Sequence, residues 1–270
     1  MRLEPRANFV VVNTRRLFGT LLRTLRIGAV CDVGSLDGAE ALTFRALLPE
    51  AAIYALEPNP DNLRRMRADA VLLERRVEVM GIAATNFDGE ADLFLVDAHA
   101  SEHTRRGMSS LYARPDAGAG ARAAVRVRTA RLDTLLGREC AAPLRVALWI
   151  DTEGKAYEVI EGAAGLARQL YLLHVEVESA PCIDAAQKLY PDVRTLLEGM
   201  GFEEIATDQV RTSTQFNAVF VRGTQPMLVR MSVAIALVRA RARWLLVGAA
   251  RALCPACVRR YHAWRVSTLR

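Results

Sequence analysis

Short apolar stretches alternate with amphipathic stretches along most of this chain. Apolar runs of strand length occur at residues 27–33, 52–56 and 144–150, and segments with apolar residues at helical spacing follow them. The alternation continues from residue 27 to about residue 200, and it predicts an α/β fold with a mostly parallel sheet and helices on both faces. Two final strand-like runs, GFEEIA and NAVFVR, indicate a hairpin and therefore an antiparallel edge strand.

Further strands are predicted in the middle of the chain. Residues 77–84 form an apolar run, and the turn sequence NFDGE separates it from ADLFLVD, so we expect these two runs to form a hairpin. The stretch AAVRVRTARLDTLL alternates like an edge strand before a helix begins at Asp133. Residues 99–124 lack such patterns, and a loop of this length is usually functional or mobile.

The pattern divides the chain into three parts. Residues 1–26 are predicted to form a helical lead-in, residues 27–222 the α/β domain, and residues 223–270 a basic helical tail. The tail contains nine arginines and no acidic residue, although the whole chain has a net charge of only +6. Its mixture of apolar residues and arginine is typical of a helix on a membrane surface, with Trp244 and Trp264 as interfacial anchors, or of a helix on an acidic partner. A solvated helix face is the alternative.

Targeting signals and cysteines add expectations about the compartment. We recognise no secretory signal, and no stretch reaches the ~18 apolar residues of a spanning helix. Five scattered cysteines do not resemble a disulfide framework. We therefore expect a cytoplasmic protein. Residues 225–270 would attach it to the anionic inner surface of the membrane. We do not expect a nucleic-acid partner, and the oligomeric state is left open.

The first strand-to-helix turn, with the sequence GSLDG, has features of a ligand-binding turn. In open α/β sheets the ligand lies beyond the carboxyl ends of the strands. Gly34 and Gly38 would let the backbone approach a ligand, and the N-terminus of the following helix offers free N–H groups. Ser35, within the same turn, is a further candidate for binding the cofactor. Glu57 ends the second strand, where a carboxylate can accept hydrogen bonds from both hydroxyls of a ribose. Together these features predict a nucleoside site.

The charge of the turn indicates which nucleoside fits. A dinucleotide site favours the spacing G-x-G-x-x-G, which GSLDG lacks. Asp32 and Asp37 add negative charge, which suits a cationic ligand better than a pyrophosphate. S-adenosylmethionine carries a ribose, an adenine and a sulfonium, so it fits. The alternatives are an NAD-dependent oxidoreductase that uses the same turn and acid, and a non-enzymatic membrane or nucleic-acid adaptor that uses the arginine-rich tail.

A second group of polar residues follows the apolar run at residues 144–150. Asp151 and Glu153 stand at the strand end and could position an acceptor, remove its proton or hold a metal, although capping of the next helix is the alternative. His174 is a second candidate base, although a structural histidine within an apolar strand is commoner. Glu176 alternates with valines on the same strand and could shape an acceptor pocket.

Other polar residues offer weaker hypotheses. Ser109 and Ser110 lie in the long loop and could bind the acceptor or cover the cofactor. His99 and His103 lack an evident third ligand, and the CPAC motif at residues 254–257 lacks a second cysteine pair, so we predict no metal site.

Six segments of the chain together resemble the FkbM-type S-adenosylmethionine-dependent methyltransferases. They are CDVGSLDGAEAL, ALEPNPDNL, GIAATNFDGEADLF, RLDTLL, LWIDTEGKAYEVIEGA and LHVEVE, in that order, and the resemblance covers about residues 27–222. It implies a class I methyltransferase fold, Rossmann-like and doubly wound, with seven strands of which the last is antiparallel. The family more often reads Gly-Ala-Asn-x-Gly where this chain has GSLDG, which leaves the role of Asp37 open.

The resemblance also implies roles for individual residues. It assigns Asp32, Gly34 and Gly38 to the cofactor loop, Glu57 to the ribose, and Asp151 and Glu153 to the acids after the fourth strand. It places the adenine against Ile82 and Ala83. The implied activity is O-methylation of a hydroxyl group on a sugar of a glycan or on a secondary metabolite.

Overall fold

The strands of the protein form two sheets. The computed structural model describes residues 10–95, 107–113, 124–139, 144–209, 213–224 and 227–253. The strands are β1 (Val10–Val11), β2 (Ala29–Val33), β3 (Ala52–Leu56), β4 (Glu78–Met80), β5 (Ala83–Ala84), β6 (Gly89–Phe94), β7 (Ala124–Ala130), β8 (Val146–Ile150), β9 (Leu170–Glu178), β10 (Phe202–Thr207) and β11 (Gln215–Arg222).

The helices lie between these strands and at the end of the chain. They are α1 (Thr14–Thr24), α2 (Ala39–Leu47), α3 (Pro60–Ala68), α4 (Ala70–Glu74), α5 (Leu132–Glu139), α6 (Ala156–Glu161), α7 (Tyr190–Gly199) and α8 (Met227–Leu253), with a short 3₁₀ helix at Ala164–Leu166.

The main sheet has the strand order β1-β10-β11-β9-β8-β2-β3-β4. Seven of these strands form the predicted, mostly parallel sheet, and the two-residue β1 extends it beside β10. The order reverses beside β2, because β3 lies on one side of it and β8 on the other. In open α/β sheets the crevice beyond such a reversal is the usual place for a ligand.

The register of the central strands aligns their carboxyl ends. Val33 at the end of β2 is paired with Leu56 of β3 and with Ile150 of β8. The residues that directly follow these three strands therefore emerge together at one edge of the sheet. This alignment places the GSLDG turn, Glu57 and Asp151 next to the crevice.

The sequence predicts an antiparallel strand at the edge of the sheet, but the observed antiparallel strand does not lie there. β11 pairs antiparallel with β10, which confirms the predicted hairpin, but it also pairs antiparallel with β9. It therefore lies inside the sheet. Its middle residues Ala218, Val219 and Phe220 are fully buried, which fits an internal position because both faces of such a strand are covered.

The predicted hairpin between residues 77–84 and ADLFLVD is wrong. The apolar run is divided into β4 in the main sheet and β5 in a separate three-stranded sheet of order β5-β7-β6. β6 pairs antiparallel with β7, and β5 pairs parallel with β7. β7, which alternates like an edge strand, is therefore the central strand of the small sheet.

Two apolar cores cover the two faces of the main sheet. One contains Leu132, Val159 and Leu197 from α5, α6 and α7, together with one face of the central strands. The other contains Phe18 from α1, Phe44 from α2 and Val233 from α8, together with the opposite face. Successive side chains of a strand point to opposite faces of the sheet, so the residues of strands such as β9 belong alternately to one core and to the other.

The last helix packs on the second core. α8 contacts α1 and β1, and Arg241 Nη1 donates a hydrogen bond to the carbonyl oxygen of Val11 at 2.8 Å. Among the described residues, none of the helices has the length and apolar character needed to cross a bilayer.

Candidate active site

A cavity of about 520 Å³ opens at the carboxyl edge of the main sheet. It lies beyond β2, β3 and β8, where the strand order reverses. Eight of the residues predicted from the sequence line it: Gly34, Glu57, Ile82, Ala83, Ser109, Ser110, Asp151 and Glu153. These residues come from five separate parts of the chain, and the fold brings them together around one cavity.

Gly34 is required by a contact within the protein. It has φ +83°, and a Cβ atom at this position would lie 1.8 Å from the backbone carbonyl oxygen of Asp151. The amide of Asp151 in turn donates to the carbonyl oxygen of Val33 at 3.0 Å. The glycine therefore allows the ends of β2 and β8 to touch, whereas the sequence analysis explained it by the approach of a ligand.

Glu57 fixes the turn that follows β2. Its Oε2 accepts a hydrogen bond from the backbone N–H of Leu36 at 2.7 Å, and its Oε1 accepts one from Asn59 at 2.8 Å. Burial raises the pKa of this carboxyl, and the two backbone hydrogen bonds oppose that effect. The side chain of Asn62 also donates to this carboxylate. Because a carboxylate has about four lone-pair positions, Glu57 keeps acceptor capacity for a ligand in the cavity.

Three predicted cofactor residues lie behind the turn and do not line the cavity. Ser35 Oγ donates to Oδ2 of Asp32 at 2.6 Å, and both residues are buried. Burial raises the pKa of Asp32 to about 7, assisted by the charges of Glu40 and Asp151 and opposed by the Ser35 bond. Gly38, with φ +81°, begins α2 against Leu72. These residues shape the turn.

One wall of the cavity is apolar. Ile82 and Ala83 line it where the chain enters β5, and Leu93 of β6 adds to the same wall. All three side chains are nearly inaccessible to solvent, and Leu93 and Ala83 share a small apolar cluster. Ile82 and the small three-stranded sheet thus supply an apolar surface to the cavity.

The acidic side is built from the ends of β8 and β9. Asp151, Glu153 and Glu176 each offer an oxygen, and these oxygens all lie within 4.8 Å of one another. The carboxyls of Asp151 and Glu176 are hydrogen bonded to each other. Gln215 Nε2 donates to Oε1 of Glu176 at 2.7 Å, so the other oxygen of Glu176 is the one available to carry a proton toward Asp151.

Electrostatics give the two carboxyls one shared proton at neutral pH. Burial, and then the charges of Asp151, Glu153 and Glu178, raise the pKa of Glu176 to about 9. The pKa of Asp151 is also raised by desolvation, but the Glu176 hydrogen bond and the charge of Arg15 lower it. Since two adjacent carboxylates cannot both ionise easily, Glu176 keeps the proton and Asp151 is the ionised member.

The same three carboxyls are of the type that binds a hard divalent cation. Magnesium and calcium prefer carboxylate oxygens, and a cation could replace the shared proton in neutralising this cluster. Acidic groups at this spacing are also common without a metal. A proton held between Asp151 and Glu176 also accounts for their proximity.

Neither Asp151 nor Glu153 occupies the capping position of α6. The residue that precedes this helix is Lys155, whose side chain makes no capping bond. Glu153 instead has φ +47°, and its carbonyl oxygen accepts a hydrogen bond from Ser110 Oγ at 2.8 Å. Its backbone therefore connects the strand end to the segment that covers the cavity.

Residues 107–113 cover part of the cavity. Ser110 is buried and pairs through its backbone with Phe94 at the end of β6. Ser109 Oγ accepts a hydrogen bond from Asn59 Nδ2 at 3.3 Å. Both serine hydroxyls thus already have protein partners, and a role of either in binding the acceptor stays a prediction.

His174 lies away from the cavity. It is buried in the second core, where its ring stacks on Trp149 at 3.5 Å and its Nε2 lies 3.1 Å from Oγ1 of Thr14. Burial lowers its pKa to about 3, and the charge of Arg15 adds to the effect. The proposed role of His174 as a base does not fit this position; it is a structural histidine, the commoner case.

Two residues that the sequence analysis did not select also face the cavity. Lys155 Nζ lies 3.5 Å from the ring centre of Tyr112 and 2.8 Å from Oε1 of Glu158. The sequence feature that could have singled out Lys155 is the rarity of lysine, since the chain contains only two. Gln215 reaches Glu176 because β11 pairs with β9, and no local pattern predicts that pairing.

Some predictions fall outside the described residues. His99, His103 and the CPAC motif at residues 254–257 are among them, as is Trp264. Their predicted roles stay predictions.

The strand order and the crevice together define a class I methyltransferase fold, which is Rossmann-like. The family described as Methyltransferase FkbM domain matches residues 32–204, and the chain belongs to this family of methyltransferases. The resemblance stated from the sequence is thereby confirmed. A comparison with curated proteins finds no match.

Similar solved structures include three with low sequence identity. The cofactor-bound protein Rv0187 from MTB has a TM-score of 0.43 at 16% identity, with 82% of this chain and 84% of that chain covered. The N-terminal domain of EvdMO1 with SAH bound has a TM-score of 0.41 at 15% identity, covering 78% and 80%. Precorrin-6y C5,15-methyltransferase from Geobacter metallireducens GS-15 has a TM-score of 0.37 at 16% identity, covering 80% and 91%.

Proposed function

We propose that this methyltransferase transfers the methyl group of S-adenosylmethionine to a hydroxyl group, on a sugar of a glycan or on a secondary metabolite. The observation that supports this proposal is the pair of Asp151 and Glu176: Asp151 lines the same cavity as Glu57, and Glu176, which does not line it, is hydrogen bonded to Asp151. A hydroxyl acceptor must lose a proton, and this pair contains an ionised carboxylate that can take it.

The residues of the cavity fit the cofactor. Glu57 can accept hydrogen bonds from the ribose hydroxyls, and the apolar wall at Ile82 and Ala83 suits the adenine ring. The acids at the ends of β8 and β9 favour a cation such as a sulfonium. They disfavour the pyrophosphate of NAD, because its charges would face Asp151 and Glu153. When bound, the cofactor supplies a methyl group on a good leaving group.

The protein residues align the reactants and manage one proton. The residues of the cavity would hold the acceptor oxygen beside the methyl group that the bound cofactor would supply. The hydroxyl proton passes to Asp151. Glu176 would donate its own proton in a hydrogen bond to one oxygen of Asp151, which would leave the other oxygen of Asp151 to accept the acceptor's proton. Glu176 is thus a positioning residue.

Calorimetry with the full chain tests the cofactor assignment. We expect S-adenosylmethionine to bind and NAD to give no heat of binding. Binding of NAD alone would favour the oxidoreductase alternative, and binding of neither would favour an adaptor. The acceptor can be sought by mass spectrometry of a glycan or metabolite pool incubated with labelled cofactor.

Asp151→Asn tests the proton transfer once a methylated product is found. The amide cannot take a proton, so we expect turnover to fall by about 10²–10⁴-fold while cofactor affinity changes little. Turnover equal to that of the wild type would show that Asp151 is not the base. Asp184→Asn, a change at another acid on the chain, serves as the matched control.

A further inference from the structure

The outward side of α8 carries an unusual concentration of apolar residues. Among the described residues, nine large apolar side chains are exposed, and six of them lie on this helix. They are Met227, Met231, Ile235, Val238, Leu245 and Leu246. Exposed apolar residues that are scattered singly are ordinary, but a contiguous patch marks an interaction site.

These residues form one stripe because of their spacing. An α-helix turns by about 100° per residue, so positions 227, 231, 235, 238 and 245 fall within one side of the helix. The opposite side contains Val233 and Ala236, which are buried against the second core. The helix is therefore apolar on two sides, of which only one is covered by the described part of the protein. We call the exposed side the outer stripe.

Arginines border the outer stripe on both sides. At the same angular spacing, Arg230 and Arg241 fall along one border, and Arg239 and Arg243 along the other. Arg241 also donates to the carbonyl oxygen of Val11, so its side chain is held at the edge of the protein and the headgroup contacts are assigned to the other three. All four are exposed. An apolar stripe between two rows of cations is the pattern of a helix that lies in the plane of an anionic bilayer surface, with its apolar side chains among the acyl chains and its arginines at the headgroups.

We propose that the outer stripe of α8 binds the surface of an anionic lipid bilayer, so that this methyltransferase is a peripheral membrane protein. A stripe from Met227 to Leu246 would lie along about 29 Å of the surface at 1.5 Å per residue. A second copy of the chain fits less well. Residues 223–270 contain no acidic residue, so pairing two outer stripes would bring arginines against arginines.

Trp244 does not belong to the outer stripe. The sequence analysis regarded it as an interfacial anchor, but it is half-buried at a position closer to the inner side of the helix. The apolar contact with lipid is therefore assigned to the methionine and aliphatic side chains.

Sedimentation of the full chain with lipid vesicles tests the proposal. The probes are phosphatidylcholine vesicles with about 30 mol% phosphatidylserine and vesicles of phosphatidylcholine alone. We expect binding to the anionic vesicles only, and we expect it to weaken as the salt rises from about 0.1 M to about 0.5 M, because salt screens the arginines. Absence of binding, or equal binding to both vesicles, would overturn the proposal.

Two variants locate the binding surface. R239Q/R243Q should lower the partition coefficient by about fivefold for each arginine. M231Q/I235Q/V238Q should lower the partition coefficient by on the order of a hundredfold, because the transfer of three apolar side chains from water into the bilayer is lost. The matched controls are R65Q and L73Q, which change exposed residues on α3 and α4. Equal losses in the controls and the variants would contradict the assignment.

The alternative occupants of the stripe give distinct results. If a second copy covers it, light scattering will find a dimer that M231Q/I235Q/V238Q converts to monomer. If another segment of the same chain covers it, this triple variant will unfold at a clearly lower temperature than the wild type. Either result would overturn the proposal. We expect a monomer with an unchanged melting temperature and unchanged affinity for S-adenosylmethionine.

Discussion

Replacement of Glu57 by alanine should affect both the turn after β2 and the binding of the cofactor. The change removes the acceptors of two short hydrogen bonds, from Leu36 at 2.7 Å and Asn59 at 2.8 Å. Hydrogen bonds to a charged group contribute about 1.5–3 kcal/mol each. The desolvation that raises the pKa of Glu57 offsets part of this sum. We therefore expect the free energy of unfolding to fall by about 2–4 kcal/mol.

The loss of cofactor affinity has a separate magnitude. The hydroxyls of the ribose would lose a charged acceptor, which corresponds to about 1–3 kcal/mol, or roughly 5–150-fold in Kd. Urea denaturation measures the first effect, and calorimetric titration with S-adenosylmethionine at a temperature where the variant is folded measures the second. Glu57→Gln keeps one carbonyl oxygen, so it should give intermediate values in both measurements.

Glu50→Ala is the matched control, because Glu50 is exposed beside β3 and away from the cavity. It should leave both quantities unchanged. A folded Glu57→Ala variant with the affinity of the wild type would refute the ribose assignment. A variant with unchanged stability would refute the anchoring of the turn by Glu57.

Three further predictions concern the same region. Gly34→Ala should destabilise the protein strongly in urea denaturation, because residue 34 has φ +83° and the new Cβ would lie 1.8 Å from a carbonyl oxygen. Gly137→Ala is the control: this glycine lies in a helix, a Cβ there would have no neighbour within 4 Å, and the change should stabilise the protein by about 0.5–1 kcal/mol. Glu176 has a pKa raised to about 9 in the folded protein, so its contribution to stability is greatest at low pH and is lost as the pH rises from about 4.5 to 9. Glu176→Gln should therefore reduce the decline of the urea midpoint between pH 5 and 9, and an unchanged slope would contradict the shared proton. His174→Gln should lower the melting temperature but leave the Kd of S-adenosylmethionine unchanged in calorimetry, and a clear loss of affinity would restore His174 to the site.

The alternation of apolar and polar residues predicted most of the strands and helices in their observed order, but it missed β1 and the division of residues 77–84 into β4 and β5. It placed β3 at its observed bounds and showed which residues follow the ends of β2, β3 and β8. Because parallel strands present their carboxyl ends at one edge of the sheet, the positions of Gly34, Glu57 and Asp151 in the crevice followed from that order. Both predictions need only the local periodicity of the sequence and the rule that ligands bind at the carboxyl ends of the strands in α/β sheets.

The neighbours of each strand were decided only by the tertiary structure. The insertion of β11 between β9 and β10, and the pairing of β6 with β7, depend on contacts between residues far apart in the chain. The same contacts bring Gln215 to Glu176 and place Asp151 beside it, and the pKa of Glu176 results from that assembly. A local pattern records which side chains of a segment are buried, but not which distant segment buries them. That choice rests on the free energy of the whole packed core.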